Sequence, residues 1–99
     1  METYFTYILF SKKTNEFYKG STKNVVERIE RHNKGRELAT KHGVPWLLLW
    51  YTSKPTRADA FKLEFKLKNL SRKRLIEFML KYKDDVASHD ELLLIEQLS

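Results

Sequence analysis

Arg28 and His32 stand four residues apart, and so do Glu64 and Lys68. At about 100° per residue, each pair lies one turn apart on one side of a helix. Arg28 and His32 would border the apolar stripe of Val25 and Ile29, while Glu64 and Lys68 sit beside Phe61 and Phe65. A charged residue bordering a buried stripe can point across a sheet into a shared cleft. There a guanidinium, an imidazole, a carboxylate and an ammonium could bind an anion and move a proton. The same spacing also fits ordinary helix-surface pairs, with Glu64 and Lys68 worth only about 0.3 kcal/mol.

Other chemistries are missing. There are no cysteines, which excludes a disulfide scaffold, a thiolate zinc site and a cysteine nucleophile together. His32, His42 and His89 are scattered without metal-ligand spacing. No serine sits in a nucleophile elbow, and no glycine-rich phosphate loop is present. Tyr4, Tyr7 and Tyr18 fall on adjoining strands, where aromatic rings commonly serve core or cross-strand packing.

The elements that would carry these residues follow from local pattern. Residues 4–10 are aromatic and β-branched, a strand. The polar residues 11–16 make a turn, and 17–20 return as a second short strand of an antiparallel hairpin. Ser21 or Thr22 is expected to cap a helix through Val25, Val26 and Ile29 to about Asn33, with Gly35 at its stop. Residues 36–45 are polar and irregular, with one short helical turn at most. The apolar run 46–52 reads as a buried strand, broken at Lys54 and Pro55. Thr56, with Asp59 three residues on, opens a helix containing Ala60, Phe61, Phe65 and Leu67. Ser71 caps another through Leu75, Ile76, Phe78, Met79 and Leu80. The order β-β-α-β-α-α predicts an α+β domain, a three-stranded antiparallel sheet flanked by helices.

The chain has 99 residues, about one small domain. At 41% hydrophobic and 13% aromatic it can build one core, and 32% charged residues give it a soluble surface. No apolar run approaches the roughly 20 residues of a membrane span. The apolar stretch 4–10 is short and has no basic region before it, so no signal peptide is read there, and the expected setting is the cytoplasm. The net charge is +6, unevenly spread. Residues 1–83 hold all nineteen Lys and Arg but eight of the thirteen acids, a net of +11; residues 84–99 hold five acids and no Lys or Arg. Such a balance points to a polyanionic partner. It also divides the chain into a domain over 1–83 and an acidic tail over 84–99, with a short terminal helix near 92–98. That tail could dock on its own core, compete with a polyanion for the basic surface, or serve a protein partner.

Taken in order, four segments resemble the GIY-YIG nuclease superfamily. Phe5-Thr6-Tyr7-Ile8-Leu9 resembles its first motif, with Tyr7 at the tyrosine. Tyr18-Lys19-Gly20-Ser21-Thr22 resembles the second, with Tyr18 and Gly20 at its tyrosine and glycine. The stretch from Arg28 to His32 and Asn33 is similar to the Arg-x-x-x-His-Asn of the family's first helix. The segment A-F-K-L-E-F-K-L-K resembles the helix that carries the family's glutamate, here Glu64, trailed by Lys68. The match runs over residues 4–81 and is nearest to small stand-alone members related to the excinuclease nuclease domain. Three positions depart from the pattern: Phe5 for glycine, Lys19 for isoleucine, and Ser21 where excinuclease-type members often have lysine.

The resemblance implies a metal-dependent endonuclease that hydrolyses DNA phosphodiester bonds, in repair or recombination. Glu64 would be the one protein ligand of Mg²⁺ (or Mn²⁺), a hard ion that keeps several waters and binds phosphate oxygens. Arg28 would donate to the phosphate, and Tyr18 would act as general base with Tyr7 orienting it. His32 would be a supporting base or phosphate contact. Lys19, Lys23, Arg31 and Lys68 would touch nucleic acid. DNA is then the expected partner, with no membrane, and with a homodimer or a protein partner as further options. The alternative within the same fold is a catalytically idle nucleic-acid-binding module.

Overall fold

A computed structural model describes residues 3–99. Strands β1 (Tyr4–Ser11), β2 (Glu16–Thr22) and β3 (Trp46–Lys54) form one antiparallel sheet in the order β2-β1-β3. Helix α1 (Val25–Asn33) joins β2 to β3. Helices α2 (Arg57–Lys68), α3 (Arg72–Lys81) and α4 (His89–Leu98) follow the sheet. The α+β class and the β-β-α-β-α-α order are as the sequence predicts, and the terminal helix expected near 92–98 is α4, which starts earlier, at His89. No helix among the described residues is long and apolar enough to cross a membrane.

The central strand β1 is buried from Thr6 to Ser11 because both of its faces are covered. Alternate side chains go to opposite faces. Ile8 and Phe10 enter the larger core with Trp50, Leu67, Leu75, Ile76, Met79 and Ile95. Tyr7 and Leu9 enter the smaller one with Trp46, joined by Tyr18 and Ile29. The β1–β3 register slips between Ile8 and Leu9, leaving Leu49 without a partner across the ladder. That irregularity lets neighbours Leu49 and Trp50 share the larger core instead of splitting between faces.

Local chemistry sets the helix ends, with one departure. Thr56 and Ser71 cap α2 and α3 as expected, accepting from Asp59 N at 3.0 Å and Arg74 N at 3.2 Å. Gly35 has φ of 70° just past α1, the left-handed stop that glycine permits. The cap of α1, however, is Asn24, whose Oδ1 accepts from Glu27 N at 3.1 Å. Ser21 and Thr22 stay in β2 because they pair with Thr6 and Phe5 on β1. This keeps the Ser21 hydroxyl free for another use.

The acidic segment is not a separate tail. Ile95 of α4 is fully buried in the larger core, with Leu94 and Leu98 packed against it. The Trp50 indole donates to Tyr82 O at 3.0 Å, and Ala87 N to Leu49 O at 2.8 Å, so the chain is tied to β3 on both sides of residue 84. The charge step at 84 therefore does not end the packed core, and of the options for this segment the structure has the terminal helix docked on its own core. Charge marks the outer surface of α4, and its apolar face completes the domain.

Candidate active site

Helix α2 is rolled differently from what the phenylalanines suggest. Ala60, Glu64 and Leu67 form its buried stripe, at spacings of four and three residues. Phe61 and Phe65 are 62% and 66% exposed, while Glu64 is only 7% exposed. An inward carboxylate is tolerated only when its charge is met. Here Ser21 Oγ donates to Glu64 Oε1 at 2.6 Å, and Lys68 Nζ lies 2.6 Å from Oε2. The hydrogen bond from Lys68 to Glu64 holds the ammonium pKa above its ordinary value. Thr6 Oγ1 donates to Ala60 O at 2.7 Å and helps fix the helix on the sheet. Ser21 thus carries the hydroxyl that orients the carboxylate.

On the other face, Tyr7, Tyr18 and His32 form one cluster. The ring centroids lie 6.0 Å apart for Tyr7 and His32, 5.0 Å for Tyr18 and His32, and 6.4 Å for the two tyrosines. Tyr7 Oη and His32 Nε2 are 3.0 Å apart, and His32 Nδ1 lies 2.7 Å from Thr40 Oγ1. Both Tyr7 and His32 are fully buried. Burial pushes the Tyr7 phenol far above its ordinary range, so it carries its proton, with Tyr18 adding to the shift and Arg28 opposing it. Either neutral tautomer satisfies both contacts, and the Glu37 carboxylate 3.5 Å from Nδ1 favours the one protonated there, with Tyr7 O–H donating to Nε2. Burial also lowers the His32 pKa, which favours that neutral ring. Direct contact of His32 with a phosphate is closed by its burial; it holds Tyr7 instead.

The Tyr7 ring can lie where it does because residue 20 is glycine. A Cβ there would meet Tyr7 Oη at 2.5 Å and Cζ at 2.7 Å, inside any normal contact. Tyr18, half-buried, faces the charges. Burial raises its phenol pKa first and Glu37 raises it further, while Lys68 and Arg28 lower it. Glu64 raises it as well, so charges on both α1 and α2 act on this phenol. Asn33 has a structural part. Its side chain donates to Trp46 O at 3.1 Å and accepts from Trp46 N at 2.6 Å, tying the end of α1 to the start of β3.

Two residues of the site lie in the irregular segment where periodicity says nothing. Glu37 Oε1 is 3.8 Å from Arg28 Nε and 3.9 Å from Arg31, and its Oε2 is 3.5 Å from His32 Nδ1. Thr40 holds the other side of that imidazole. A polar residue in a loop carries no signal of its target, so neither was visible in the sequence. Of the expected nucleic-acid contacts, Lys23 and Arg31 line a groove of about 1050 Å³ with Arg28, Arg57 and Phe61. Lys68 is committed to Glu64. Lys19 is partly buried, which with Lys68 lowers its ammonium pKa.

Among the described residues no three carboxylate, histidine or cysteine side chains gather as a metal nest. The donor set fits a divalent ion nonetheless: one near-buried carboxylate, oriented by Ser21, already has a cation on its other oxygen. A hard ion that keeps its waters needs no more protein ligands than this.

Comparison with known proteins bears on the family and the fold. Residues 3–77 match the family model described as the GIY-YIG catalytic domain. A UPF0213 protein of Pediococcus pentosaceus is 37% identical over 68 residues, covering 68% of this chain and 72% of that one. A UPF0213 protein of Staphylococcus aureus is 29% identical over 80 residues, 80% of this chain and 96% of the relative. The solution NMR structure of a UPF0213 protein from Bacillus halodurans is similar with a TM-score of 0.53 and 25% identity. It covers 91% of this chain and 93% of that one.

Proposed function

The chain belongs to the GIY-YIG catalytic-domain family, a nuclease family, and on that premise we propose that it is a divalent-metal-dependent DNA endonuclease. The observation that carries the reading is Glu64, a 7%-exposed carboxylate already facing a cation and within electrostatic reach of Tyr18. Mg²⁺ or Mn²⁺ on Glu64 would supply Lewis acidity to the scissile phosphate and its leaving oxygen.

The chain's own residues supply the rest. Arg28, partly exposed on α1, donates to the non-bridging phosphate oxygens as their charge builds. Tyr18 Oη orients the attacking water and takes its proton, which a phenol can do only where cations favour its anion. Burial and then Glu37 hold the phenol above its ordinary pKa, outweighing Lys68 and Arg28, which act in that direction. The charge of a bound divalent ion would therefore be needed to favour the phenolate. Tyr7 keeps its proton and is held through His32, so it supports Tyr18 by ring packing and does not titrate. Ser21 keeps the carboxylate aimed at the cleft.

The test is a nicking assay across duplex, branched and damaged DNA in Mg²⁺ or Mn²⁺. Glu64→Gln and Arg28→Ala should each abolish cutting while leaving the circular dichroism spectrum unchanged. Preference for branched or damaged strands would support a role in repair or recombination. Failure of the unaltered protein on every substrate would overturn the reading. The ammonium on Glu64 favours a second one, an idle binding module in which Lys68 permanently fills the cation position. Salt-sensitive DNA binding that survives Glu64→Gln, with no cleavage in any metal, is its signature.

A further inference from the structure

We propose that the groove between α1 and α2 contains a subsite for one unstacked nucleobase, with Phe61 as its stacking platform, next to the phosphate held at Glu64 and Arg28. The groove is lined by Lys23, Arg28, Arg31 and Arg57 against the single carboxylate of Glu27, so its charge suits a polyanion. Tyr4 gathers two of those cations: Lys23 Nζ and Arg57 Cζ each lie 5.7 Å from its ring centroid. Charge alone would suit a phosphate backbone of any kind. Phe61 is the feature that phosphate does not explain.

Its phenyl ring stands on the groove wall and is 62% exposed, while the carboxylate three residues on is turned inward. An exposed apolar ring gains nothing from a phosphate, but it gains from the flat face of a base. In a duplex those faces are covered by neighbouring bases, so only an unpaired or extruded base offers one. Position fits as well. Phe61 precedes Glu64 by three residues, about 4.5 Å along the helix axis, so the ring lies within roughly a nucleotide of the carboxylate. Ser21 lines the groove and bonds Glu64, linking the two subsites. The base would lie on Phe61 while its phosphates meet Arg28 and Arg31.

The proposal rests on reading this site as one that handles DNA, and the experiment lets either fail without the other. Binding is measured in EDTA, where cutting plays no part, with fluorescent oligodeoxynucleotides that are single-stranded or fully duplex. Cleavage of the same strands in Mg²⁺ is scored separately. Phe61→Ala should weaken single-strand binding by at least about fivefold, the lower end of a base–aromatic stack, and duplex binding by less than about twofold. Phe61→Trp should restore affinity and quench 2-aminopurine placed in the single strand. If that pattern holds and nothing is cut, either here or across branched and damaged DNA, the nuclease reading falls and the base subsite stands. Equal losses on both forms, no loss on either, or no binding by the unaltered protein overturns the subsite. So does a sedimentation experiment in which Phe61→Ala splits a dimer without changing affinity, because the ring would then be a contact between copies.

Discussion

Lys68 Nζ sits 2.6 Å from Glu64 Oε2, so the carboxylate expected to hold a metal ion also holds a side-chain cation. The two are i and i+4 on α2, the spacing that reads in sequence as a surface pair. With Glu64 turned inward, the pair instead neutralises a near-buried charge. A metal ion arriving at Oε2 must displace or share with the ammonium.

Lys68→Met should therefore strengthen Mn²⁺ binding to the DNA-free protein by about fivefold, the equivalent of roughly 1 kcal/mol of lost competition. The metal-free variant should also be slightly less stable, because Glu64 loses its partner. Isothermal titration with Glu64→Gln as the blank decides it; an unchanged affinity would show that Lys68 does not compete.

Gly20→Ala should destabilise the fold by about 1–3 kcal/mol, the usual cost of overpacking. The added Cβ falls on the Tyr7 hydroxyl, which cannot move aside without leaving His32 Nε2 unpaired. Urea denaturation gives the number, and a variant as stable as the parent would contradict the close approach.

His32 links stability to pH. Its native pKa lies below the ordinary 6.5, chiefly through burial, with Glu37 opposing the shift and Arg28 and Arg31 adding to it. The unfolded chain then binds more protons than the native one in the window below 6.5. The stabilisation is complete above that pH and declines as pH falls toward the native pKa. The unfolding free energy should drop on acidification below about 6.5, and His32→Gln should flatten that part of the curve. An identical slope in the two proteins would remove His32 as the source.

Glu37→Gln should lower the pH at which Tyr18 ionises, since Glu37 is the largest charge opposing its phenolate. It should also release Arg28 and Arg31 toward DNA, raising affinity a few-fold at low salt and converging with the parent at high salt. Tyrosinate absorbance, with Tyr18→Phe subtracted, and binding across a salt series provide the two readouts.

Much of this was legible in the chain itself. Alternating and helical periodicities place Tyr7 and Tyr18 on paired strands and Arg28 and His32 on one helix side, because those patterns are local. Thr56 and Ser71 announce their helices by the same kind of neighbour chemistry. The roll of α2 was not legible, since apolar count favours Phe61 and Phe65 facing inward; what turns Glu64 in is Ser21, forty-three residues earlier. The docking of α4 was obscured by its charge, although Ile95 is fully buried in the core with Leu94 and Leu98 packed against it. Glu37 and Thr40 come to His32 from an irregular loop, and Gly20 matters only because a ring from the neighbouring strand lies over it. Residue order therefore determined the elements and the chemical groups they carry. Which groups meet, and which charge is buried, was decided by contacts between residues far apart in the chain, where local pattern has no energy to express.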